Sequence, residues 1–363
     1  MQDDNIESGA IVHVLDHKRK FIGSGYYNPK SKIRVRLLSR NAGEEINQGW
    51  FYDKISAAIK YREQIGYGGA ARLIFGEADQ LPGLVVDRFG EMLVIQTLTI
   101  GMDQRKEWIV NSLVKILQPK TIIERNDVPV RKLEGLDERA GILYGEQISK
   151  AEFSENDIRY RVDFLEGQKT GFFLDQKENR RALENISRSA EVLDCFCYNG
   201  SFSLSAAKFG AKHVEGLDAS EPAVNSAIEN AKLNSLESTC LFRSANAFDA
   251  LTEYKNSGKQ FDVVILDPPA FTKNREGIAS AQRGYREINL KAMKILRPGG
   301  YLLTFSCSHF ISPEIFEHTI QQASYDAHKT LTIVSTLSQA KDHPLVWGID
   351  ETHYLKGYLL RVN

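Results

Sequence analysis

The sequence predicts an α/β protein whose second half is a doubly wound, Rossmann-like domain, and three observations carry that reading. From Glu191 to Ser220 a short apolar run (Val192, Leu193) closes on Asp194. A polar turn (Tyr198, Asn199, Gly200), a helical stretch from Phe202 to Phe209, a stop at Gly210 and a second strand, His213 to Leu217, follow. Strand, tight turn, helix and strand make the opening βαβ unit of such a domain. Further apolar strands recur after it, Phe261–Leu266 and Tyr301–Phe305. Each strand is followed by a residue able to do chemistry: Asp194, Asp218, Asp267 and, after Ser306, Cys307. Ligands of doubly wound sheets bind at these strand ends.

The first turn is poor in glycine. A dinucleotide pyrophosphate needs backbone amides brought close, which is why its fingerprint carries three glycines; here Gly200 stands alone. A carboxylate at Asp194 suits a cationic ligand better, and S-adenosylmethionine (SAM) is cationic at sulfonium and amine and has no phosphate. Asp218 closes the next strand where a carboxylate can accept both ribose hydroxyls. The competing reading is a packing unit with solvated strand-end acids.

At 363 residues the chain is long enough for two or three domains with cores of their own. A net charge of −1 confines any nucleic-acid surface to a local patch. Four irregularly spaced cysteines argue for a reducing compartment and against a disulfide framework. Cys195 and Cys197 lack a neighbouring histidine, so zinc is not expected. No apolar run has membrane-spanning length, and the opening MQDDNIESG lacks signal-peptide character. A cytoplasmic protein is expected.

In chain order, the first feature is an acid-free basic stretch from Lys18 to Arg40. Within it Lys32-Ile33-Arg34-Val35-Arg36-Leu37 alternates strictly, predicting a strand with one basic and one apolar face. With Tyr26 and Tyr27 just before it, this is the pattern of a small β-domain touching RNA through Lys32, Arg34 and Arg36. A solvated strand face fits equally. Apolar residues at helical spacing predict a connecting helix from Trp50 to Tyr67, with Asp53 near its start. A second domain then spans roughly Gly66 to Phe164. It has strands at Leu73–Phe75, Leu84–Val86, Met92–Ile100 and Thr121–Glu124, and a helix from Lys106 to Leu117. Glu134, Asp137 and Glu138 read as a solvated loop.

Gly167 to Gln176 is different: two glycines allow a hairpin, and Gln168, Lys169 and Thr170 precede a double aromatic. The stretch is either a domain-linking hairpin or a lid over the methionine end of the cofactor, with Asp175 placed to cap the following helix. Beyond Asp218, Ser220 caps a helix carrying Pro222 in its first turn. Cys240–Phe242 makes the third strand, and Asn246, Ala247 and Phe248 follow within reach of an adenine edge. Asp267-Pro268-Pro269-Ala270-Phe271 is a rigid loop after the fourth strand. A long helix from Arg275 to Leu296 is stopped by Pro298-Gly299-Gly300, ahead of the strand that leads to Cys307 and His309.

The blocks DCFCYNGSFS, LDASEPA, DPPAF and SCSH, with GQKTGFFLDQ upstream and YLKGYLLRV at the end, resemble the bacterial large-subunit ribosomal RNA cytosine-C5 methyltransferases that carry an N-terminal PUA domain. The resemblance spans essentially the whole chain. It implies a PUA-like RNA-binding domain (1–45), a connecting helix and central α/β domain (46–165), and a seven-stranded class I SAM-dependent methyltransferase domain (166–363). Family members begin with a further PUA segment, so the β-domain here is expected to be short. By the same resemblance Asp194, Phe196, Asn199 and Gly200 line the cofactor. Asp218, with Ala219 and Ser220, holds the ribose, and Asn246, Ala247 and Phe248 face the adenine. Gln168, Lys169 and Thr170 lie near the methionine part, Asp267 contacts cofactor and base, and Cys307 is the nucleophile. Expected partners are large-subunit ribosomal RNA and a second copy in a homodimer, with no membrane partner. Asn246 departs from the family's usual acid; its amide oxygen still accepts, without charge.

The expected chemistry explains the residue types. C5 of cytosine is a poor nucleophile until a thiolate adds at C6. Competing readings are an RNA or DNA N-methyltransferase, which commonly follows Pro-Pro with an aromatic where this chain has Ala270, and a non-catalytic RNA-binding or assembly factor that keeps a SAM fold. A small-molecule methyltransferase has no need of the basic strand.

Overall fold

In a computed structural model the structure describes residues 6–165 and 171–363. The chain divides into two compact units: 1–154, 162–174 and 341–345 form one, and 155–161, 175–340 and 346–363 the other. The expected boundary at 165 is therefore crossed in both directions, and the expected first two domains share one unit.

In the first unit β1 (Ile11–Leu15), β2 (Phe21–Tyr27) and β3 (Val35–Ser39) form an antiparallel sheet in that order. The alternating stretch does not start a strand at Lys32. Asn28 to Arg34 instead turn, with the Asn28 side chain accepting from the Lys30 N–H at 3.0 Å, and β3 begins only at Val35. Helix α1 (Gln48–Gln64) is capped by Asn47, whose side chain accepts from the Trp50 N–H, so the start lies ahead of Trp50. Its inner face is Phe51, Ile55, Ala58 and Ile59. A five-stranded sheet follows in sequence order: β4 (Ala71–Phe75), β5 (Leu84–Phe89), β6 (Met92–Thr97), β7 (Thr121–Arg125) and β8 (Ala140–Gly145). Only β6 and β7 are parallel, joined through α2 (Ile100–Asp103) and α3 (Lys106–Leu117). Glu134, expected in a solvated loop, is buried and accepts from Ser31 Oγ at 2.6 Å and Asn28 Nδ2 at 2.8 Å. The hairpin β9 (Lys150–Glu155) and β10 (Ile158–Asp163) contains the first crossing points between units.

The second unit holds α4 (Lys177–Arg181) and then β11 (Glu191–Asp194), α5 (Ser201–Lys208), β12 (His213–Asp218), α6 (Glu221–Leu233), β13 (Cys240–Ser244), α7 (Ala247–Ser257) and β14 (Phe261–Leu266). After these come α8 (Ile278–Ile295), β15 (Leu296–Ser306), α9 (Pro313–Ala327), β16 (Leu331–Ser338) and β17 (Lys356–Val362). The seven strands lie in the order β13-β12-β11-β14-β15-β17-β16, parallel except for β17, which is antiparallel to both neighbours. Strand order reverses between β11 and β14, and the crevice outside their carboxyl ends is where such sheets bind ligands. On one face Leu251, Tyr285, Ile288, Met293 and Phe316 from α7, α8 and α9 pack against Leu193, Val264, Leu266 and Leu302. β15 starts at Leu296, so Pro298-Gly299-Gly300 lies inside the strand rather than before it. Asp175 does not cap α4: it sits in the preceding 3₁₀ turn and accepts from the Tyr354 hydroxyl at 2.6 Å.

Candidate active site

Register places the strand-end residues together. Asp194 pairs with Gly216, Asp218 with Ser244, and Leu266 with Thr304, so Asp194, Asp218, Asn246, Asp267 and Cys307 all leave the sheet at one edge.

The turn after β11 is built for close approach. Tyr198 and Gly200 both have positive φ (49° and 83°). A Cβ on Gly200 would also lie 3.1 Å from the Ala227 methyl and 3.2 Å from the Phe242 ring, so glycine is required for conformation and for space. Asp194 is fully buried. Its Oδ2 accepts from Ser203 Oγ at 2.7 Å, while Oδ1 has no hydrogen bond among the described residues. Burial pushes its carboxyl up to about 7; Ser203 opposes the shift and the Asp218 charge adds to it. The nearby N–H groups of Ser203 and Phe196 temper the shift without satisfying Oδ1. Both side-chain polar atoms of buried Asn199 also lack partners among the described residues. Orphaned buried polar atoms are rare, and two side chains carrying them at a strand-end turn call for an explanation. A cationic amine at Asp194 and a polar group at Asn199 would satisfy them, and so the site fits SAM.

Asp218 is half-buried and already oriented: Oδ2 accepts from the Tyr198 N–H at 3.0 Å and Oδ1 from the Ser220 N–H at 2.9 Å. Each oxygen keeps a lone pair for a ribose hydroxyl. Ser220 caps α6 through the Ala223 N–H, and Ala219 stands exposed beside it. Asn246 is placed differently from expectation. Its Oδ1 caps α7, accepting from the N–H groups of Phe248 at 2.9 Å and Asp249 at 3.4 Å, and its Nδ2 is therefore the group left to face outward. Ala247 is buried in the first turn of α7, and Phe248 and Phe196 are half-buried on the hydrophobic core. Gln168, Lys169 and Thr170 lie outside the described residues.

At the β14 and β15 ends, Cys307 Sγ reaches the Pro268 carbonyl at 3.9 Å, which joins the Asp-Pro-Pro loop to the Cys307 strand end. Cys195, Cys197 and Cys240 are buried, and burial raises all three thiols, Cys240 to about 12; Cys307 is part-exposed. His309 is exposed and its ring lies against Tyr354, centroids 5.8 Å apart. Two residues missed in the sequence enter here. Tyr285 of α8 is buried and accepts from Ser306 Oγ at 3.0 Å; burial lifts its hydroxyl to about 12, with Cys307 and Asp267 as neighbouring charges. Lys356, the first residue of β17, is 5% exposed; burial pulls its ammonium down to about 8 and nearby Cys307 opposes this. Either residue alone reads as part of an apolar pattern.

The expected RNA-contact residues lie in the first unit. Lys32 and Arg34 are exposed. Arg36 is held between Glu77 and Glu134, each at 3.4 Å, so its charge is already balanced. Among the described residues no cluster could hold a metal ion, and no helix is long and apolar enough to cross a membrane.

Residues 130–361 match the family model described as S-adenosylmethionine-dependent methyltransferase, and residues 1–40 match a PUA-like domain. A relative from Pseudoalteromonas translucida named ribosomal RNA large subunit methyltransferase I is 40% identical over 98% of this chain and 91% of its own length. One of the same name from Aliivibrio fischeri is 39% identical over 99% of this chain and 92% of its own. Among solved structures, SMU.776, assigned as a methyltransferase and complexed with SAH, matches 99% of this chain and 93% of its own at TM-score 0.85 and 20% identity. A Streptococcus mutans structure assigned as a SAM-dependent methyltransferase gives TM-score 0.83 at 20% identity over the same shares. At that identity the likeness shows a shared fold.

Proposed function

The chain belongs to the S-adenosylmethionine-dependent methyltransferases, in the family of ribosomal RNA large subunit methyltransferase I, and from that premise we propose that it methylates C5 of a cytosine in large-subunit ribosomal RNA through a Cys307–C6 adduct. The observation that carries this reading is the part-exposed Cys307 thiol beside the Pro268 carbonyl, on the same sheet edge as the orphaned Asp194 and Asn199 atoms.

When bound, SAM supplies the electrophilic methyl group. Asp194 and Asn199 hold its amino-acid part, Asp218 its ribose, and Phe248 with the Asn246 Nδ2 its adenine edge. The Cys307 thiolate adds to C6, forming the S–C6 bond and loading the C5 position with the displaced π pair. Asp267, in its protonated form, donates to N3 and so stabilises the negative charge on the ring while C5 takes the methyl, the sulfonium being left as a neutral thioether. Loss of the C5 proton to a base re-forms the C5–C6 double bond and expels the thiolate. The target cytosine must be unstacked to reach Cys307.

Phe271 bears on the N-methylation alternative. Its ring packs on Tyr285 with centroids 4.4 Å apart, which commits it to the interior rather than to a target base. Lys32 and Arg34 are the proposed phosphate contacts of the PUA-like region. The four free cysteines suit the reducing cytoplasm where ribosomal RNA is modified.

The test is RNA carrying 5-fluorocytosine at the target, from which the C5 substituent cannot leave. Wild-type protein with SAM gives a denaturation-resistant RNA–protein band, and Cys307→Ala gives none. A band of equal intensity from Cys307→Ala refutes the nucleophile and leaves SAM binding standing.

A further inference from the structure

Strand β17 runs against its neighbours, so its first residue lies at the edge where the parallel strands end. Lys356 stands there, paired in register with Ser306 of β15. Its Nζ donates to the Ser308 carbonyl at 2.6 Å and the Tyr354 carbonyl at 3.0 Å. Among the described residues no carboxylate lies within ion-pair distance of it. A buried ammonium with two carbonyl dipoles and no counter-ion is expensive to keep charged, and such a group either gives up its proton or borrows an anion formed beside it.

The groups around Cys307 decide which anion that is. The Tyr285 hydroxyl from α8 and Lys356 from β17 both stand close enough to Cys307 to feel its charge, and Asp267, just after β14, acts on the same Tyr285 hydroxyl. His309, on the same loop, turns to Tyr354. A neighbouring carboxylate disfavours a thiolate, the Tyr285 phenol stays neutral near pH 7, and Lys356 is a cation set in the thiolate's favour. Its hydrogen bond to Ser308, the residue after Cys307, holds Nζ at that strand end whichever way the thiol points.

We propose that Lys356 is a positioning residue that acts through Cys307, holding the nucleophile as a thiolate–ammonium pair before the substrate arrives. The step is a proton transfer from Sγ to Nζ with no change in net charge: thiol and amine become thiolate and ammonium. Addition to C6 spends the thiolate charge in the S–C bond, and elimination returns it to the same cation. The proposal rests on the Cys307 reading above and adds to it where the thiol proton goes.

The experiment is alkylation of Cys307 by iodoacetamide, read by mass spectrometry of the whole protein across pH, with no cofactor or RNA present. Wild type is expected to titrate at least one pH unit below the ordinary thiol value of about 8.5. In Lys356→Met the midpoint rises by one unit or more and the rate at pH 7 falls about tenfold or more. Lys356→Arg, which keeps the charge, holds the low midpoint. A wild-type midpoint at or above 8.5 overturns the pairing even if Lys356→Met does not fold, and so does a profile that Lys356→Met leaves unmoved. A normal 5-fluorocytosine adduct with an unshifted profile refutes the pairing alone. A shifted profile with no adduct from wild type refutes the nucleophile reading and leaves the pair in place.

Discussion

Replacing Asp194 by Asn tests the site through stability and binding together. The gap between 3.8 and about 7, at about 1.4 kcal/mol per pH unit, makes ionisation of Asp194 cost the free protein on the order of 4 kcal/mol. The folded state keeps its proton to higher pH than the unfolded chain does. The contribution of Asp194 is therefore greatest below about pH 4, declines as pH rises towards 7, and is flat above. Asn cannot ionise, so urea unfolding of Asp194→Asn should lack that decline. The difference between the two proteins should shift towards the mutant by about 2–4 kcal/mol between pH 4.5 and 8. SAM affinity should move the other way, because the cationic amine loses its anion, at a cost of about 1.5–3 kcal/mol. Calorimetry near pH 6 in buffers of different ionisation enthalpy should also show a proton released on binding to wild type and none on binding to Asp194→Asn. Parallel pH–stability curves for the two proteins would refute the reasoning, and unchanged SAM affinity would refute the placement of the amine.

Other substitutions probe separate links. Gly200→Ala meets both a positive φ and contacts at 3.1 and 3.2 Å; it should destabilise by about 1–3 kcal/mol in denaturant unfolding, and a neutral result would deny the tight turn. Asp218→Ala removes the acceptor for two backbone amides as well as for the ribose, so calorimetry should show at least a tenfold loss of SAM affinity. Arg180 and Glu155 form a buried ion pair with Nε to Oε1 at 2.8 Å, and Arg180→Met should cost about 3–5 kcal/mol by removing the guanidinium from a buried acid, read by urea unfolding. For RNA, Lys32→Ala with Arg34→Ala should flatten the salt dependence of binding by about 1.4–1.8, at about 0.7–0.9 per contact. Adding Arg36→Ala should change it little, because Glu77 and Glu134 already balance that charge.

What could be seen in the sequence was what local pattern determines. The unit from β11 to β12 shows because its apolar runs, turn residues and closing acids are contiguous, and the same holds for β14, whose bounds match, and for α3. The failures are cases where a distant partner decides. Alternation at Lys32–Leu37 suggested a strand, but Asn28 and Ser31 are drawn to Glu134, more than a hundred residues away, and the chain turns there instead. The acceptor expected of Asn246 is spent on its own helix, a local competition that the motif alone hides. Lys356 and Tyr285 carry no motif; only the antiparallel placement of β17 and the packing of α8 bring them to Cys307.

Residues 341–345 belong to the first unit although they follow most of the second in the chain. There Asp342 accepts the Arg72 N–H at 2.8 Å, its carbonyl takes Arg62 Nη2 at 3.0 Å, and the His343 ring lies 5.3 Å from that of Phe75. Arg62 is fully buried, so until those residues leave the ribosome its guanidinium has Asp79 and the Arg72 carbonyl but not this partner. The amino-terminal unit thus cannot finish folding as it emerges. Its completion waits on the synthesis of nearly all of the catalytic unit, and a nascent chain halted at residue 174 should be more readily cleaved by protease around Arg62 and Arg72 than the finished protein.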